Sequence, residues 1–262
     1  MKKKIALLCA IILSIVNCIP VYASAENEKF VLSKESYSKE IIKNTVINED
    51  LLGKNLEYFE NEYDLSLNMP TEVVEDLSVI ANVSKSTQRI DEDHIQMSYT
   101  IYSKEPIVER TFVSGNTEKI YSVTNYTYVM SSSTVDSGEI TESSALSDVT
   151  FKNTAYYSFY EDGTLRMIRL DSGKTSITRF LESNLRDLVL SAYCIGGSDN
   201  GFQEESNTRT ITSPGVGRSH TLDTEFEYFY STSAARILYG ASVTYSHGLS
   251  SYTVSAQISL GN

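Results

Sequence analysis

The sequence predicts an all-β protein, an antiparallel β-sandwich preceded by a lead segment that is partly helical or disordered. Apolar and polar residues alternate with a period of two over much of the chain beyond residue 92, as half-buried strands require. Turn signals such as Asp162-Gly163 recur about every 8 to 12 residues, a spacing typical of sandwiches. Cys194 is the one cysteine beyond the N-terminal 25 residues, so no intrachain disulfide is expected once that stretch is removed.

The N-terminus has the pattern of a cleaved secretory signal. Three lysines precede an apolar run from Ile5 to Ile19, and a small-residue site follows at Ala23-Ser24-Ala25. As a helix this run spans about 22 Å, which is short of the roughly 30 Å hydrocarbon core. We therefore expect residues 1–25 to be a signal peptide cut after Ala23 or Ala25. The mature chain is then secreted, with no stable membrane span after cleavage.

Residues 26–68 form the polar lead segment and residues 69–262 the antiparallel β region. Within the lead, Leu52, Leu56, Phe59 and Tyr63 recur at helical spacing, although Gly53 weakens that helix. After Pro70, the apolar residues fit one side of a second helix but also fit a strand. A Ser-rich, acidic stretch over 131–148 is a candidate linker that would subdivide the β region.

Alternation then predicts the strands one by one. Glycine-containing turns separate them, including one at Asp171-Ser172-Gly173, and the stretch 198–217 carries loop signals. Phe226, Tyr228 and Tyr230 are expected on one face of a further strand. The predicted strands before that point cover 95–102, 107–113, 119–130, 149–160, 165–170, 174–180 and 185–195.

The clearest pattern is at the end of the chain. From Ile237 to Tyr245, and again from Tyr252 to Leu260, every second residue is apolar or aromatic, and His247-Gly248 lies between the two runs. Five consecutive matches to a period of two are hard to obtain from a helix. An antiparallel hairpin is predicted here.

The charge balance excludes several partners. The chain has 34 acidic and 22 basic residues, a formal net charge of −12, and removal of Lys2, Lys3 and Lys4 makes it more acidic. Nucleic acid and anionic lipid are poor partners for such a surface. No motif for a cofactor is present, and none is expected.

Two kinds of chemical site can be drawn from single residues. Cys194 precedes Ile195-Gly196-Gly197, whose amides could receive an oxyanion, with His94, His220 or His247 as the base; the alternative is a small buried apolar residue. Asp91 and Asp93, in the run Asp91-Glu92-Asp93-His94, could share a metal ion. Neighbouring side chains diverge on a strand or turn, so the alternative is that this run is a solvated turn.

Tyrosine is the residue type that favours binding. The chain has 18 tyrosines and no tryptophan, and aromatic runs place Tyr157, Tyr228 and Tyr230 as binding residues wherever their rings face outward. The alternative is that one face of each strand is core and the other reflects β propensity.

The C-terminal half resembles uncharacterised small secreted β-rich proteins of Gram-positive bacteria. The resemblance is carried by residues 185–197, the loop before Pro214, the aromatic strand 226–230 and the closing alternation 252–260, about a third of the chain. It implies an extracellular or envelope location and supplies no site residues.

Together these observations favour a non-enzymatic binding protein that contacts an unknown component of the envelope or of a host surface. One alternative is a secreted, membrane-active β-hairpin toxin or bacteriocin-like protein, because the final hairpin has strands of about 9 to 11 residues with a Ser/Thr-rich face. A second alternative is a hydrolase that uses Cys194.

Overall fold

The computed structural model describes residues 41–46, 51–62, 69–89, 94–131, 147–180, 184–232, 234–247 and 249–260. In these ranges the chain is mostly β, with antiparallel strands and two short helices, which confirms the predicted all-β class. The helices are α1 (Leu51–Glu62) and α2 (Thr71–Leu77). The strands are β1 (Ile41–Val46), β2 (Ala81–Arg89), β3 (His94–Ser103), β4 (Val108–Phe112), β5 (Thr117–Ser131), β6 (Ser147–Asp162), β7 (Leu165–Phe180), β8 (Asn184–Ser198), β9 (Gly201–Thr212), β10 (Ser219–Asp223), β11 (Phe229–Tyr230), β12 (Arg236–His247) and β13 (Ser250–Leu260).

These strands form two sheets. In sheet A the order is β1-β4-β5-β6-β7-β10, with β3 paired to the second half of β5, β2 paired to β3, and β11 paired to β7. In sheet B the order is β13-β12-β8-β9. The apolar strand predicted at 185–195 therefore lies inside sheet B, as β8. The predicted final hairpin is β12–β13, with an unbroken register from Ile237↔Leu260 to His247↔Ser250.

The main core lies between the two sheets, and it explains the period of two. Alternate residues of β8, β12 and β13 face alternate residues of β5, β6 and β7. Sheet B contributes Leu188, Leu190, Ile237, Val243, Val254 and Ile258 among others, and sheet A contributes Val123, Val129, Phe151, Ala155, Leu170 and Ile177. At about 25 cal/mol per Å² of buried apolar area, this layer is the dominant source of stability.

A polar contact crosses this core. The hydroxyl of Tyr239 lies 2.8 Å from that of Thr175, which donates to Asn153 Oδ1 over 2.6 Å. Burial raises the pKa of Tyr239 to about 12. The Tyr239 ring lies against the backbone of Gly173, where a Cβ would come within 2.0 Å of the ring.

Gly173 accounts for one wrong prediction. The turn expected at Asp171-Ser172-Gly173 does not exist, because β7 runs without interruption from Leu165 to Phe180. The register of β6 and β7 shifts between Tyr156 and Tyr157, so the chain bends there without reversing. The glycine serves close packing by Tyr239 and not a turn.

The stretch 198–217 was also predicted wrongly as loop, since β9 covers most of it. β9 is an edge strand with most residues exposed, and its inner face is only half-buried and mainly polar, with Gln203, Glu205 and Asn207, so no apolar alternation marks it. The strand predicted for the aromatic run is reduced to Phe229 and Tyr230, while Phe226 and Tyr228 are buried from an irregular segment.

Both helices pack on the face of sheet A that is turned away from sheet B. The helical spacing predicted for the lead segment is confirmed, because Leu52, Leu56 and Phe59 are buried in α1. Their cluster includes Val73 and Leu77 of α2, with Met97, Tyr99, Ile101, Tyr126 and Tyr128 of the sheet. The second apolar run is a helix rather than a strand. Since β1 pairs with β4, part of the polar lead segment joins the sheet.

Several predictions fall outside the described residues. These are the signal peptide over 1–25, Tyr63, most of the candidate linker over 131–148, and the candidate metal ligands Asp91 and Asp93. In the ranges that the structure describes, no helix is both long and apolar enough to cross a bilayer.

Candidate functional site

An aromatic surface lies on the sheet B side of sheet A, at the end of the core. We call it the aromatic shelf: Tyr102, Tyr121, Tyr157 and Phe159. The register pairs Tyr121 of β5 with Tyr157 of β6, and Phe159 lies two residues further along the same face. Tyr157 belongs to the buried core, whereas the other three pack against that core from outside and are half-buried.

Three of the four rings of the shelf contact one another. The Tyr121 and Tyr157 rings stack with centroids 5.7 Å apart and planes 20° apart. Phe159 meets Tyr121 and Tyr157 edge to face, at 5.8 and 5.7 Å. Burial raises the pKa of Tyr157 to about 12 and also raises the pKa of Tyr102 and Tyr121. All three hydroxyls are therefore neutral donors at physiological pH.

Charged side chains form a rim around the shelf. The guanidinium of Arg166 lies 3.7 Å from the centre of the Phe159 ring and 3.6 Å from a carboxylate oxygen of Glu161. Glu105 and Glu109 are also near enough to raise the pKa of Tyr121, which Arg166 lowers. Apolar ring area beside exposed charge is the composition of a binding surface, and three carboxylates against one guanidinium favour a neutral or basic partner.

The opposite face of sheet A carries a network of ionisable groups drawn from separate strands. Arg110 of β4 donates to Glu118 of β5 over 2.7 Å, and Arg169 of β7 reaches the other Glu118 oxygen at 3.4 Å. The Tyr228 hydroxyl also donates to Glu118. Asp171 accepts from Arg169 at 2.7 Å and from Ser158 at 2.5 Å.

We call this set the charged network: Arg110, Glu118, Ser158, Arg169, Asp171 and Tyr228. Burial raises the pKa of Asp171, although Arg169 and Ser158 oppose that shift, and burial raises the pKa of Tyr228 far above its usual range. The Arg169 guanidinium also lies 4.4 Å from the centre of the Tyr228 ring. Two cations face two carboxylates, and each carboxylate is held by bonds from within the set. The arrangement holds the segment around Tyr228 against the sheet.

Cys194 lies in a setting that does not suit a nucleophile. It is fully buried in β8, and burial raises the pKa of its thiol far above the usual range. A buried thiol that keeps its proton is inert, since the thiolate is the reactive form.

The candidate bases lie away from that thiol. His220 directs its ring Nε2 to the carbonyl oxygen of Pro214, 2.8 Å away. His247 ends β12, whereas Cys194 pairs with Ile237 near its start, so about 30 Å of strand separates them. His94 contacts the Tyr252 ring, with centroids 5.1 Å apart.

The predicted binding tyrosines occupy three different environments. Tyr157 is the buried member of the aromatic shelf, and Tyr228 is buried in the charged network. Tyr230 is half-buried and donates its hydroxyl to Asp199 at 2.7 Å; burial and this bond raise its pKa to about 12. The structure does not bring the three together.

Tyr121 and Arg166 were not singled out from the sequence. The signal that could have found them is the register that places Tyr121 beside Tyr157. That register cannot be deduced when a stretch as long as 132–146 separates the two strands, because only a tight turn fixes pairing.

Among the described residues, no group of three or more His, Cys, Asp or Glu side chains is arranged to hold a metal ion. Comparison with models of known families, with curated proteins and with solved structures gave no match.

Proposed function

We propose that this chain is an exported, non-enzymatic binding protein whose aromatic shelf contacts a component of the bacterial envelope or of a host surface. The observation that carries the proposal is the shelf itself, in which the half-buried rings of Tyr121 and Phe159 contact each other and the buried Tyr157 ring beside a charged rim. Tyrosine rings provide large contact area at a low cost in conformational entropy. The buried state of Cys194 supports a binding role over hydrolysis.

The test is retention of the purified protein on two solid phases, the insoluble envelope of the producing organism and immobilised host mucin. Replacing both outer rings, Tyr121→Ser with Phe159→Ser, removes the contact area. We expect retention to fall about tenfold or more, since two anchoring rings together contribute more than 1.4 kcal/mol.

Tyr58→Ser is the matched control. Tyr58 lies on α1, is 58% exposed, and has the same chemistry at a different place. Its replacement should leave retention unchanged. Equal retention of the double variant and the parent protein, with both giving the same circular dichroism spectrum, would contradict the proposal.

A further inference from the structure

The two outer strands of sheet B differ in how their edges are treated. At one edge, side chains of β9 form hydrogen bonds with the backbone of β10 and of the residues that follow it. Asn207 donates to the carbonyl of Asp223 at 3.0 Å, Arg209 donates to the carbonyl of Thr221 at 2.6 Å, and Glu205 accepts from the amide of Glu227 at 2.9 Å. These hydrogen bonds and the charged side chains of β9 hinder the addition of another strand at this edge.

At the other edge, β13 has none of these features among the residues that the structure describes. It pairs with β12 through a register without a bulge, and within the described ranges no strand pairs with its other side. The eleven residues of β13 include no charged residue and no proline. A long, regular and uncharged edge of this kind is a template for strand addition.

Sheet A extends further to one side than sheet B does, so the face of β3 and β2 lies next to the outer edge of β13. β13 packs against β5 and β6, whereas β3 and then β2 continue sheet A past β5. The register places Tyr102 opposite Val123 of the core, so the even-numbered residues of β3 and β2 face the sheet B side. The contact between His94 and Tyr252 agrees with this orientation.

We call this surface the ledge. On β2 its side chains are exposed, and two of its side chains on β3 are bonded to β5: Ser98 lies 3.0 Å from the Thr127 hydroxyl, and Thr100 accepts from Asn125 at 2.9 Å. The ledge carries no charge, although 21% of the chain is charged. Its side chains are Asn82, Ser84, Ser86 and Gln88 of β2 with Gln96, Ser98, Thr100 and Tyr102 of β3.

We infer that β13 accepts an extended peptide as a fifth strand of sheet B, lying over the ledge. The inference rests on the proposed binding function and names the class of partner, a polypeptide in the extended conformation. Backbone hydrogen bonds to β13 hold the peptide, and the ledge accommodates its inward side chains. Tyr102 belongs to both surfaces, so one end of the peptide reaches the aromatic shelf.

The ledge excludes a second copy of this chain as the occupant. If two copies paired through β13, the partner's β5 would lie one strand spacing, about 4.8 Å, beyond this chain's β5. That place is already filled by β3. A single strand, in contrast, fits above the ledge.

Charge defines the peptide further. The paired stretch should be uncharged, to match the uncharged edge of β13 and the uncharged ledge. The flanks should be basic, because the chain carries a net charge of −12 and because Glu105, Glu109 and Glu161 surround the shelf. The nine residues of β2 limit the paired stretch to about 30 Å.

The probe is a synthetic peptide of about eight alternating Thr and Val residues with lysines at both ends, its length set by the ledge. Binding is measured by fluorescence anisotropy, and hydrogen exchange follows the amides of β13. We expect the peptide to slow exchange along β13. A peptide of the same sequence with every amide of the paired stretch N-methylated should not bind, since it lacks donors on both edges.

A matched pair of variants tests the location. Ser86→Arg places a long side chain on the ledge, whereas Thr87→Arg adds the same charge one residue away, on the opposite face of β2. Both positions are exposed, so neither change disturbs the core. Ser86→Arg should weaken peptide binding at least about tenfold, and Thr87→Arg should leave it unchanged.

Three results would overturn strand addition: unchanged β13 exchange with the peptide present, equal weakening by both arginine variants, or undiminished binding of the N-methylated peptide. The retention assay separates this failure from failure of the proposed function. If the double shelf variant loses retention while Ser86→Arg keeps it, the function stands and strand addition is wrong. If the parent protein is not retained at all, the function is wrong, and the peptide assay still decides strand addition.

Discussion

The charged network and the aromatic shelf lie on opposite faces of sheet A and differ in how their groups are satisfied. On one face, the charged network satisfies itself: Glu118 is held by Arg110, Arg169 and Tyr228. On the other face, the outer rings of the aromatic shelf remain half-buried beside exposed charge. Groups that satisfy one another inside the protein stabilise it, whereas apolar area left at the surface is available to a partner.

The largest expected effect comes from breaking the charged network. Glu118→Ala removes a carboxylate that is almost fully buried and leaves Arg110 and Arg169 without their shared partner. The free energy of unfolding should fall by about 3 kcal/mol or more, measured by denaturant titration. Glu118→Gln keeps an acceptor for Tyr228 and should cost less. A loss below about 1 kcal/mol in Glu118→Ala would show that the network is not structural.

The next effect concerns the face of sheet A that carries the shelf, at the place where sheet B packs over it. Gly173→Ala would place a Cβ about 2 Å from ring atoms of the fully buried Tyr239, which has no room to move. Overpacking of this kind should cost about 3 kcal/mol, seen as a lower midpoint of thermal unfolding. Gly163→Ala is a useful comparison, because its strain comes only from a positive φ of 58° in a turn with open space around it. Equal losses in the two variants would contradict close packing by Tyr239.

Alkaline pH should have a smaller effect, through tyrosines that are buried in the folded protein. The folded-state pKa of Tyr239 is raised from 10.0 to about 12, so only the unfolded chain releases that proton in between, and stability falls as pH rises through this window. At pH 11, one unit above the value for the unfolded chain, this shift lowers the free energy of unfolding by about 1.4 kcal/mol.

Without tryptophan, the ultraviolet absorbance of tyrosinate reports these ionisations directly. Tyr228 and Tyr239 should ionise only as the protein unfolds, because burial raises the pKa of both side chains. A single reversible ionisation step with an unchanged circular dichroism spectrum would contradict the burial of these rings.

How much the sequence could predict depended on whether a segment has one buried face. The final hairpin and β8 each line the core, so alternation located the hairpin and an apolar run located β8; α1 was found from Leu52, Leu56 and Phe59, which form its buried face. The inner face of β9 is only half-buried and mainly polar, and this strand was missed. The Gly173 turn was wrong because a glycine needed for close packing has the same sequence signal as one needed for a turn.

The candidate site was harder to predict, because it depends on pairing between distant strands. Tyr157 was selected from its own aromatic run, but Tyr121 and Arg166 join it only through the registers of β5, β6 and β7. Tyr228 and Tyr157 are both tyrosines, but Tyr228 lies in the charged network. Its hydroxyl donates a hydrogen bond to Glu118, which is far away in sequence. Composition cannot separate a ring that packs inside from one that faces outward.

The most direct test of the comparison is chemical nitration of tyrosine, followed by mass spectrometry. It is carried out on the free protein and on the protein bound to the solid phase that retains it. The account predicts that Tyr102 and Tyr121 react in the free protein and are protected in the complex, that Tyr58 reacts in both states, and that Tyr228 reacts in neither. Undiminished reaction of Tyr121 in the complex would contradict the assignment of the aromatic shelf as the binding surface.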